Sequence, residues 1–160
     1  MFANKNTALK LLFMSIILIC SCRKTKLTNH LCDCANTKVI ETIDTVTLKI
    51  PNIFTPNADG VNDYWFITNL EYFQNVKLKI KDNGVLKKTV FESNNYNNTW
   101  DGTNDGKALS DGKYAYELII DSKTISGYVC IFGLGKIEPK DNKCLQNCTP
   151  ADPRDIFLMN

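Results

Sequence analysis

The chain has 160 residues, 22% of them charged and 44% hydrophobic, a length that suits one domain rather than two. It carries 19 basic and 17 acidic side chains, and a net charge of only +2 excludes the strongly basic surface typical of nucleic-acid-binding proteins. Seven cysteines in a chain of this size indicate an oxidising compartment.

Residues 1–21 are predicted to form an export signal. Lys5 and Lys10 give the N-terminus a positive charge. The apolar run that follows, Leu11 to Cys20 (LLFMSIILIC), is too short for a permanent transmembrane helix and has the length of a signal-peptide core.

The end of this signal resembles the lipobox of bacterial lipoproteins. Ile19 places a bulky aliphatic residue at −3 and Ser21 a small residue at −1, directly before Cys22. The resemblance implies cleavage before Cys22 and attachment of a diacylglycerol to its thiol. The alternative is an ordinary signal peptide with incidental cysteines.

Residues 22–37 are predicted to be a lipidated tether, because they are polar and lack hydrophobic periodicity. Cleavage removes two lysines and leaves 17 basic and 17 acidic side chains, so the acyl chains alone would hold the protein to the membrane. His30, the only histidine, lies in this tether and is expected to be an exposed linker residue.

Residues 38–133 show the period-two pattern of half-buried strands. Apolar residues alternate with polar ones at 45–50, at 76–80 and at 114–120, and Thr124 to Phe132 forms a further strand after a turn at Asp121-Ser122-Lys123. Asn83-Gly84 predicts a tight hairpin turn, with Val85 to Phe91 as the returning strand. We therefore predict an all-β fold, an antiparallel β-sandwich of about seven strands.

Residues 134–160 are interpreted as an extension outside the sandwich that contains proline and cysteine. Its Cys144 and Cys148 form a close pair, as do Cys32 and Cys34 before the domain. A disulfide link between the two pairs is the favoured hypothesis; four cysteines allow three pairings, of which two link the chain ends. A redox-active Cys32-Asp-Cys34 motif and a zinc site are the alternatives. Cys130 lies in an apolar strand and is expected to be a buried free thiol.

Two segments carry a family signature, Ile50 to Trp65 (IPNIFTPNADGVNDYW) and Trp100 to Tyr116 (WDGTNDGKALSDGKYAY). With Gly127-Tyr128-Val129, they resemble the gliding-motility-associated C-terminal domain, the type B sorting domain of the type IX secretion system. The resemblance spans residues 48–132 and implies an immunoglobulin-like sandwich. The residues that carry it are Pro51, Phe54, Pro56, Gly60, Trp100, Asp101, Gly102, Gly112 and Tyr114.

The chain departs from the family pattern in three respects. Ala58 stands where the family usually has glycine, and Asp82-Asn83-Gly84 replaces an Asn-Arg-Trp-Gly segment. The family module usually ends a large secreted cargo protein, whereas here it follows a lipobox and precedes a cysteine-containing tail.

Asn57, Asp59, Asn62 and Asp63 surround Gly60 in one loop and are candidate calcium ligands, because alternating carboxylate and amide oxygens suit a hard cation. Asx turns that satisfy their own backbone are the alternative interpretation. For Trp65 and Trp100, core packing is favoured over stacking on a sugar.

We expect a non-catalytic interaction or adhesion module on a lipid-anchored cell-envelope protein, at the outer membrane or cell surface. The expected partners are the membrane, through the lipid, and envelope proteins, secretion-system proteins or surface glycans; nucleic acid is not expected. The sequence shows no Ser/His/Asp set, no distinct carboxylate pair and no phosphate-binding loop, so we expect no enzyme and no required cofactor. Two alternatives are recognition by the type IX machinery for export or attachment, and a calcium-dependent carbohydrate-binding module.

Overall fold

The computed structural model describes Cys34, residues 37–133 and residues 147–155. These residues form nine strands and one short 3-10 helix, which confirms the predicted all-β class. The elements are β1 (Ile40–Ile43), β2 (Val46–Lys49), β3 (Ile53–Phe54), the 3-10 helix (Leu70–Tyr72), β4 (Val76–Lys81), β5 (Thr89–Ser93), β6 (Thr103–Asn104), β7 (Lys107–Ala108), β8 (Gly112–Ile120) and β9 (Lys123–Ile131).

The main sheet has five strands in the order β3-β9-β8-β4-β5. Neighbouring strands are antiparallel except β3, which runs parallel to β9. Along β8 every second side chain is buried, as the period-two pattern predicted. The nine-residue pairing of β8 with β9 closes at Asp121 and Ser122, within the predicted turn.

The second layer consists of the β1–β2 hairpin and two extended segments. A bridge between Lys49 and Thr68 joins the hairpin to the extended segment that ends at Thr68. The N–H of Trp65 donates to the carbonyl of Trp100 (2.9 Å), which adds the segment around residue 100. Side chains of both layers share one buried cluster, so the two layers enclose a common core.

Aromatic rings fill the centre of this core. Trp65 and Trp100 are both fully buried and meet edge to face, with their ring centroids 6.3 Å apart. Trp65 also packs on Tyr116 (5.0 Å) and Trp100 on Phe54 (5.1 Å). Core packing, rather than sugar stacking, is therefore the role of both tryptophans.

The connection between β4 and β5 differs from the tight Asn83-Gly84 turn that the sequence predicts. β4 ends at Lys81 and β5 begins at Thr89, so Val85 and Leu86 belong to a loop and are exposed.

The side chain of Asp82 holds this wider loop together. Its Oδ1 accepts the N–H groups of Gly84 (3.2 Å) and Lys88 (2.9 Å). The positive φ lies at Lys87, 45°, and at neither Asn83 nor Gly84. A carboxylate acceptor at the start of the loop has thus replaced the turn that the Asn-Gly pair favours.

The segments that flank the domain are joined by a disulfide between Cys34 and Cys148, with Cα atoms 5.0 Å apart and a sequence separation of 114 residues. A link that closes a loop of this length stabilises a fold by about 4–5 kcal/mol in the chain-entropy model. Cys130 is a buried free thiol, as predicted. Cys32 and Cys144, like Cys22, His30 and the signal, lie outside the described residues.

Residues 147–155, here called the tail segment, lie against the sandwich. The segment contacts the start of β3 and the loop that follows it through several hydrogen bonds. Within the described parts of the chain there is no helix with the length and hydrophobicity needed to span a bilayer.

Candidate functional site

The loop of residues 55–63, here called the motif loop, contains all four predicted calcium ligands. The N–H of Thr55 donates to the carbonyl of Asn62 (2.9 Å) and closes the loop. The Asp63 carboxylate accepts the N–H groups of Asn57 (3.0 Å), Ala58 (2.6 Å) and Gly60 (2.8 Å). The Asp63 side chain thus fixes the backbone of the loop through three hydrogen bonds.

Asn57 and Asp59 complete this network. The Asn57 side chain accepts the N–H of Asp59 and donates to its carboxylate, both at 3.0 Å. Asp59 also accepts the N–H of Val61 (2.8 Å). The oxygens of these side chains therefore satisfy backbone and amide donors, as the Asx-turn interpretation expects.

Asn62 is turned away from the other three candidate ligands and towards the tail segment. Its side-chain nitrogen donates to the carbonyl of Asp152 (2.9 Å) and to the carboxylate of Asp155 (3.0 Å). Its side-chain oxygen accepts the N–H of Asp152 (2.8 Å). Among the described residues, no group of three or more His, Cys, Asp or Glu side chains is placed to hold a metal ion. Calcium binding stays a prediction from the sequence.

The tail segment is fixed to the motif loop by a buried carboxylate. Asp155 is 1% exposed, and it accepts hydrogen bonds from the Thr55 hydroxyl and from Asn62. Sequence reasoning missed this residue, because an isolated Asp near the end of a polar tail carries no pattern that distinguishes it from a solvated side chain.

A second buried polar residue, Asn52, lies just before β3 and contacts the segments that flank the domain on both sides. Its side-chain nitrogen donates to the carbonyls of Cys34 (3.3 Å) and Asn147 (3.2 Å). Its side-chain oxygen accepts the N–H of Thr149 (2.6 Å). Asn52 lies inside the first family segment, and Cys34 was a predicted disulfide partner, whereas nothing in the sequence marked Asn147 or Thr149.

The family-motif residues build the core and turns of the sandwich. The carbonyl of Pro51 accepts the indole N–H of Trp65 (2.7 Å), and Asp101 accepts both the N–H and the hydroxyl of Thr103. The hydroxyl of Tyr114 donates to the carbonyl of Ser110 (2.7 Å).

The motif glycines and Pro56 have conformational and packing roles. Gly60, Gly102 and Gly112 all have positive φ, and an added Cβ at Gly102 would lie 3.1 Å from the Pro56 ring. Phe54 packs on Trp100 in the core. The signature residues therefore stabilise the core and turns of the sandwich, and recognition of a partner depends on other residues at its surface.

That surface contains an open groove of about 410 Å³ between the motif loop and the tail segment. It is lined by Gly60, Asn62, Asp63, Tyr64, Phe66, Thr68, Ala151 and Asp152. Tyr64 and Phe66 are 54% and 47% exposed and are successive outward residues of the second layer. Exposed aromatic rings beside polar backbone are typical of recognition surfaces.

Two charged side chains among the described residues line this groove, Asp63 of the motif loop and Asp152 of the tail segment. The guanidinium of Arg154 lies 2.6 Å from the carboxylate of Asp152 and lowers the pKa of that carboxyl to about 2. The same pair raises the pKa of Arg154. Asp152 and Arg154 stay ionised over the physiological pH range, so the carboxylate that lines the groove is paired with a cation next to it.

A family model described as the CHU_C type IX secretion signal domain matches residues 48–131. The chain belongs to this family. The match confirms the resemblance drawn from the two sequence segments, and it runs from β2 to the last residue of β9. No curated protein and no solved structure matches the chain.

Membership in the CHU_C family supports a sorting-related role in type IX secretion and an association with the cell envelope or surface. The disulfide, β1 and the tail segment lie outside the matched residues. This chain thus adds a covalently joined pair of flanks to the family module.

Proposed function

We propose that this chain is a lipid-anchored cell-envelope protein whose sandwich is a non-catalytic recognition module, engaged by proteins of the type IX secretion system. The observation that carries the proposal is the family match over residues 48–131, which includes eight of the nine strands in whole or in part. The lipobox at Cys22 would hold the module at a membrane.

The use of polar side chains in the motif loop supports a non-catalytic role. The carboxylates of Asp63 and Asp59 accept hydrogen bonds from backbone N–H groups of their own loop, at 2.6–3.0 Å. Carboxylates that hold a loop in shape are positioned to present its surface rather than to exchange protons with a substrate.

We place the partner contact at the groove beside the motif loop. Tyr64 and Phe66 offer apolar area there, and the carboxylates of Asp63 and Asp152 offer charge. An apolar centre with a polar rim is the usual arrangement of a protein interface.

A second candidate function is adhesion to a surface glycan, with or without calcium. The same two exposed aromatic rings favour it, because sugars stack on aromatic faces. The two candidates differ in their partner, which is a secretion-system protein in one and a glycan in the other. Because both depend on the same rings, a Tyr64→Ala/Phe66→Ala variant would weaken either contact. Tyr72→Ala is a matched control, since Tyr72 is 69% exposed but outside the groove.

The test is to express the full chain in a type IX-secreting bacterium and in an otherwise identical strain without the type IX translocon. Surface exposure is measured as digestion of the protein by added protease on intact cells. The proposal expects digestion in the first strain and protection in the second. Equal digestion in both strains, or protection in both, would show that the type IX machinery does not handle this chain.

The lipid anchor is tested in the same strains with Cys22→Ala. We expect wild type to fractionate with membranes and Cys22→Ala to be released. Cys20→Ala is the matched control, because this residue leaves with the signal in our interpretation. A Cys22→Ala protein that stays membrane-bound would refute the anchor without affecting the family assignment.

A further inference from the structure

Three cysteine sulfurs lie together in a small cluster apart from the main core. The cluster contains Cys34, Ile53, Cys130 and Phe132, with Cys148 packed against it. Val129 and Ile131 on β9 face the main core, and Cys130 between them points to the opposite face of the sheet. The disulfide of the flanking segments covers this face.

The free thiol in the cluster lies next to the disulfide. The Sγ atoms of Cys130 and Cys34 are 3.9 Å apart, and the two residues are 1% and 3% exposed. Because Cys34 is in a disulfide, only Cys130 carries a thiol hydrogen, and its S–H is the donor in this contact.

The backbone fixes this arrangement. The N–H of Cys130 donates to the carbonyl of Asn52 (2.8 Å), and the Sγ of Cys34 lies 3.7 Å from the same carbonyl oxygen. The Asn52 side chain in turn donates to the carbonyl of Cys34. The attacking sulfur and the sulfur it would attack are thus positioned by the same residue.

We propose that Cys34, Cys130 and Cys148 form an intramolecular thiol–disulfide exchange site. The Cys130 thiolate attacks the Sγ of Cys34, a Cys34–Cys130 bond forms, and the Cys34–Cys148 bond breaks. The electron pair leaves on the sulfur of Cys148, which takes up the proton that Cys130 lost. The number of disulfides is unchanged, so the step needs no external oxidant or reductant.

The exchange changes how the tail segment is held. While the Cys34–Cys148 disulfide is intact, Cys148 joins the tail covalently to the segment before β1. After exchange, the tail keeps its hydrogen bonds to Asn52, Asn62 and Thr55 but loses its covalent link. The site is therefore a switch between a clamped tail and one held by polar contacts alone, beside the groove of the motif loop.

The test uses the full chain with Cys32→Ser and Cys144→Ser, so that each tryptic peptide holds one relevant cysteine. Trypsin separates residues 27–38, 124–136 and 144–154, which contain Cys34, Cys130 and Cys148. The protein is kept overnight in mildly alkaline buffer without added thiol, quenched in acid, alkylated and analysed by mass spectrometry.

We expect the 27–38/144–154 cross-link to decrease and a 27–38/124–136 cross-link to increase by the same amount, with equal alkylation of Cys148. Adding Cys130→Ala should keep the first cross-link complete. If the first cross-link also stays complete with Cys130 present, the proposal is overturned.

A second variant tests the new bond directly. Cys148→Ser leaves Cys34 and Cys130 as the only two thiols of the cluster. With glutathione disulfide, we expect this variant to form the Cys34–Cys130 bond. A folded Cys148→Ser protein in which both thiols are still alkylated afterwards would refute the exchange site, whatever the partner of the domain.

Discussion

Asn52 and Thr149 form a reciprocal pair: the N–H of Asn52 donates to the carbonyl of Thr149 (3.2 Å), and the N–H of Thr149 donates to the side-chain oxygen of Asn52 (2.6 Å). Asn52 is 2% exposed and also reaches the carbonyl of Cys34. One buried amide therefore joins both flanks of the chain to the family module.

We predict that Asn52→Ala lowers the free energy of unfolding by about 2–4 kcal/mol, because it leaves buried donors and acceptors without partners. Urea denaturation of the full chain measures the loss. Asn97→Ala, at an exposed position, is the control and should cost less than about 0.5 kcal/mol. Equal losses in the two variants would mean that the flanks are not held through Asn52.

Gly127 gives space to a buried ring. It pairs with Tyr116 across β8 and β9, and an added Cβ would lie 2.5 Å from the Tyr116 hydroxyl oxygen and 2.7 Å from the ring. Because this ring also packs on Trp65, we expect Gly127→Ala to destabilise the fold by about 2–3 kcal/mol.

The control is Gly84→Ala, where the nearest atom is an Asp82 carboxylate oxygen at 3.4 Å and the cost should stay below about 1 kcal/mol. Thermal unfolding compares the two. A Gly127→Ala protein as stable as wild type would contradict the close packing of Tyr116.

Ala58 occupies the position where the family usually has glycine, and its φ is 64°. A residue with a Cβ is strained in this left-handed region and glycine is not. We predict that Ala58→Gly stabilises the protein by about 0.5–1 kcal/mol, measured by urea denaturation. Ala108→Gly, at an exposed residue of β7, should destabilise instead, and a loss of stability in both variants would refute the explanation.

The sequence predicted the parts of the fold that depend on local pattern. Alternation in β4 and β8 located the main sheet, and the family segments located the motif loop. It failed at Asn83-Gly84, because the Asp82 carboxylate satisfies the backbone of a wider loop. The sequence Asp-Asn-Gly is the same whether the chain makes a tight turn or the Asp side chain holds a wider loop, so the local pattern could not distinguish the two.

The contacts of the tail segment were beyond sequence reasoning for a different reason. Asp155 lies 100 residues from Thr55 in the chain, and Thr149 lies 97 residues from Asn52. No periodicity connects residues at such separations, and only the cysteine pairs indicated that the ends meet. Asn62 was therefore grouped with the other loop oxygens, although its partners are in the tail.

The buried tyrosines predict loss of stability at alkaline pH. Burial raises the pKa of Tyr116 to about 12 and that of Tyr96 well above its usual range. Phenols in the unfolded chain ionise near pH 10, about the ordinary value. The unfolded state thus releases protons that the native state keeps, so stability is constant below about pH 10 and falls as pH rises towards about 12.

We expect Tyr96→Phe to reduce this alkaline loss, measured as the free energy of unfolding at a series of pH values. At neutral pH the same variant should be less stable by about 1–2 kcal/mol, because Tyr96 donates a 2.6 Å hydrogen bond to the carbonyl of Trp65. Tyr72→Phe, at a 69% exposed residue, should change neither quantity. An unchanged alkaline slope in Tyr96→Phe would show that this phenol is not responsible.

Asp63 distinguishes a self-supporting motif loop from a calcium loop. Its carboxylate accepts three backbone N–H groups, and Asp63→Asn replaces one acceptor oxygen by a donor that opposes them. We therefore predict a loss of about 1–3 kcal/mol that is the same in chelator and in calcium, measured from melting temperatures. Asp105→Asn, at an exposed turn residue outside this loop, is the control and should melt like wild type. The opposite result would be a calcium-dependent rise in melting temperature in wild type and in Asp105→Asn that disappears in Asp63→Asn. In that case the loop oxygens bind the cation, and the hydrogen bonds of Asp63 to the loop backbone belong to the apo form.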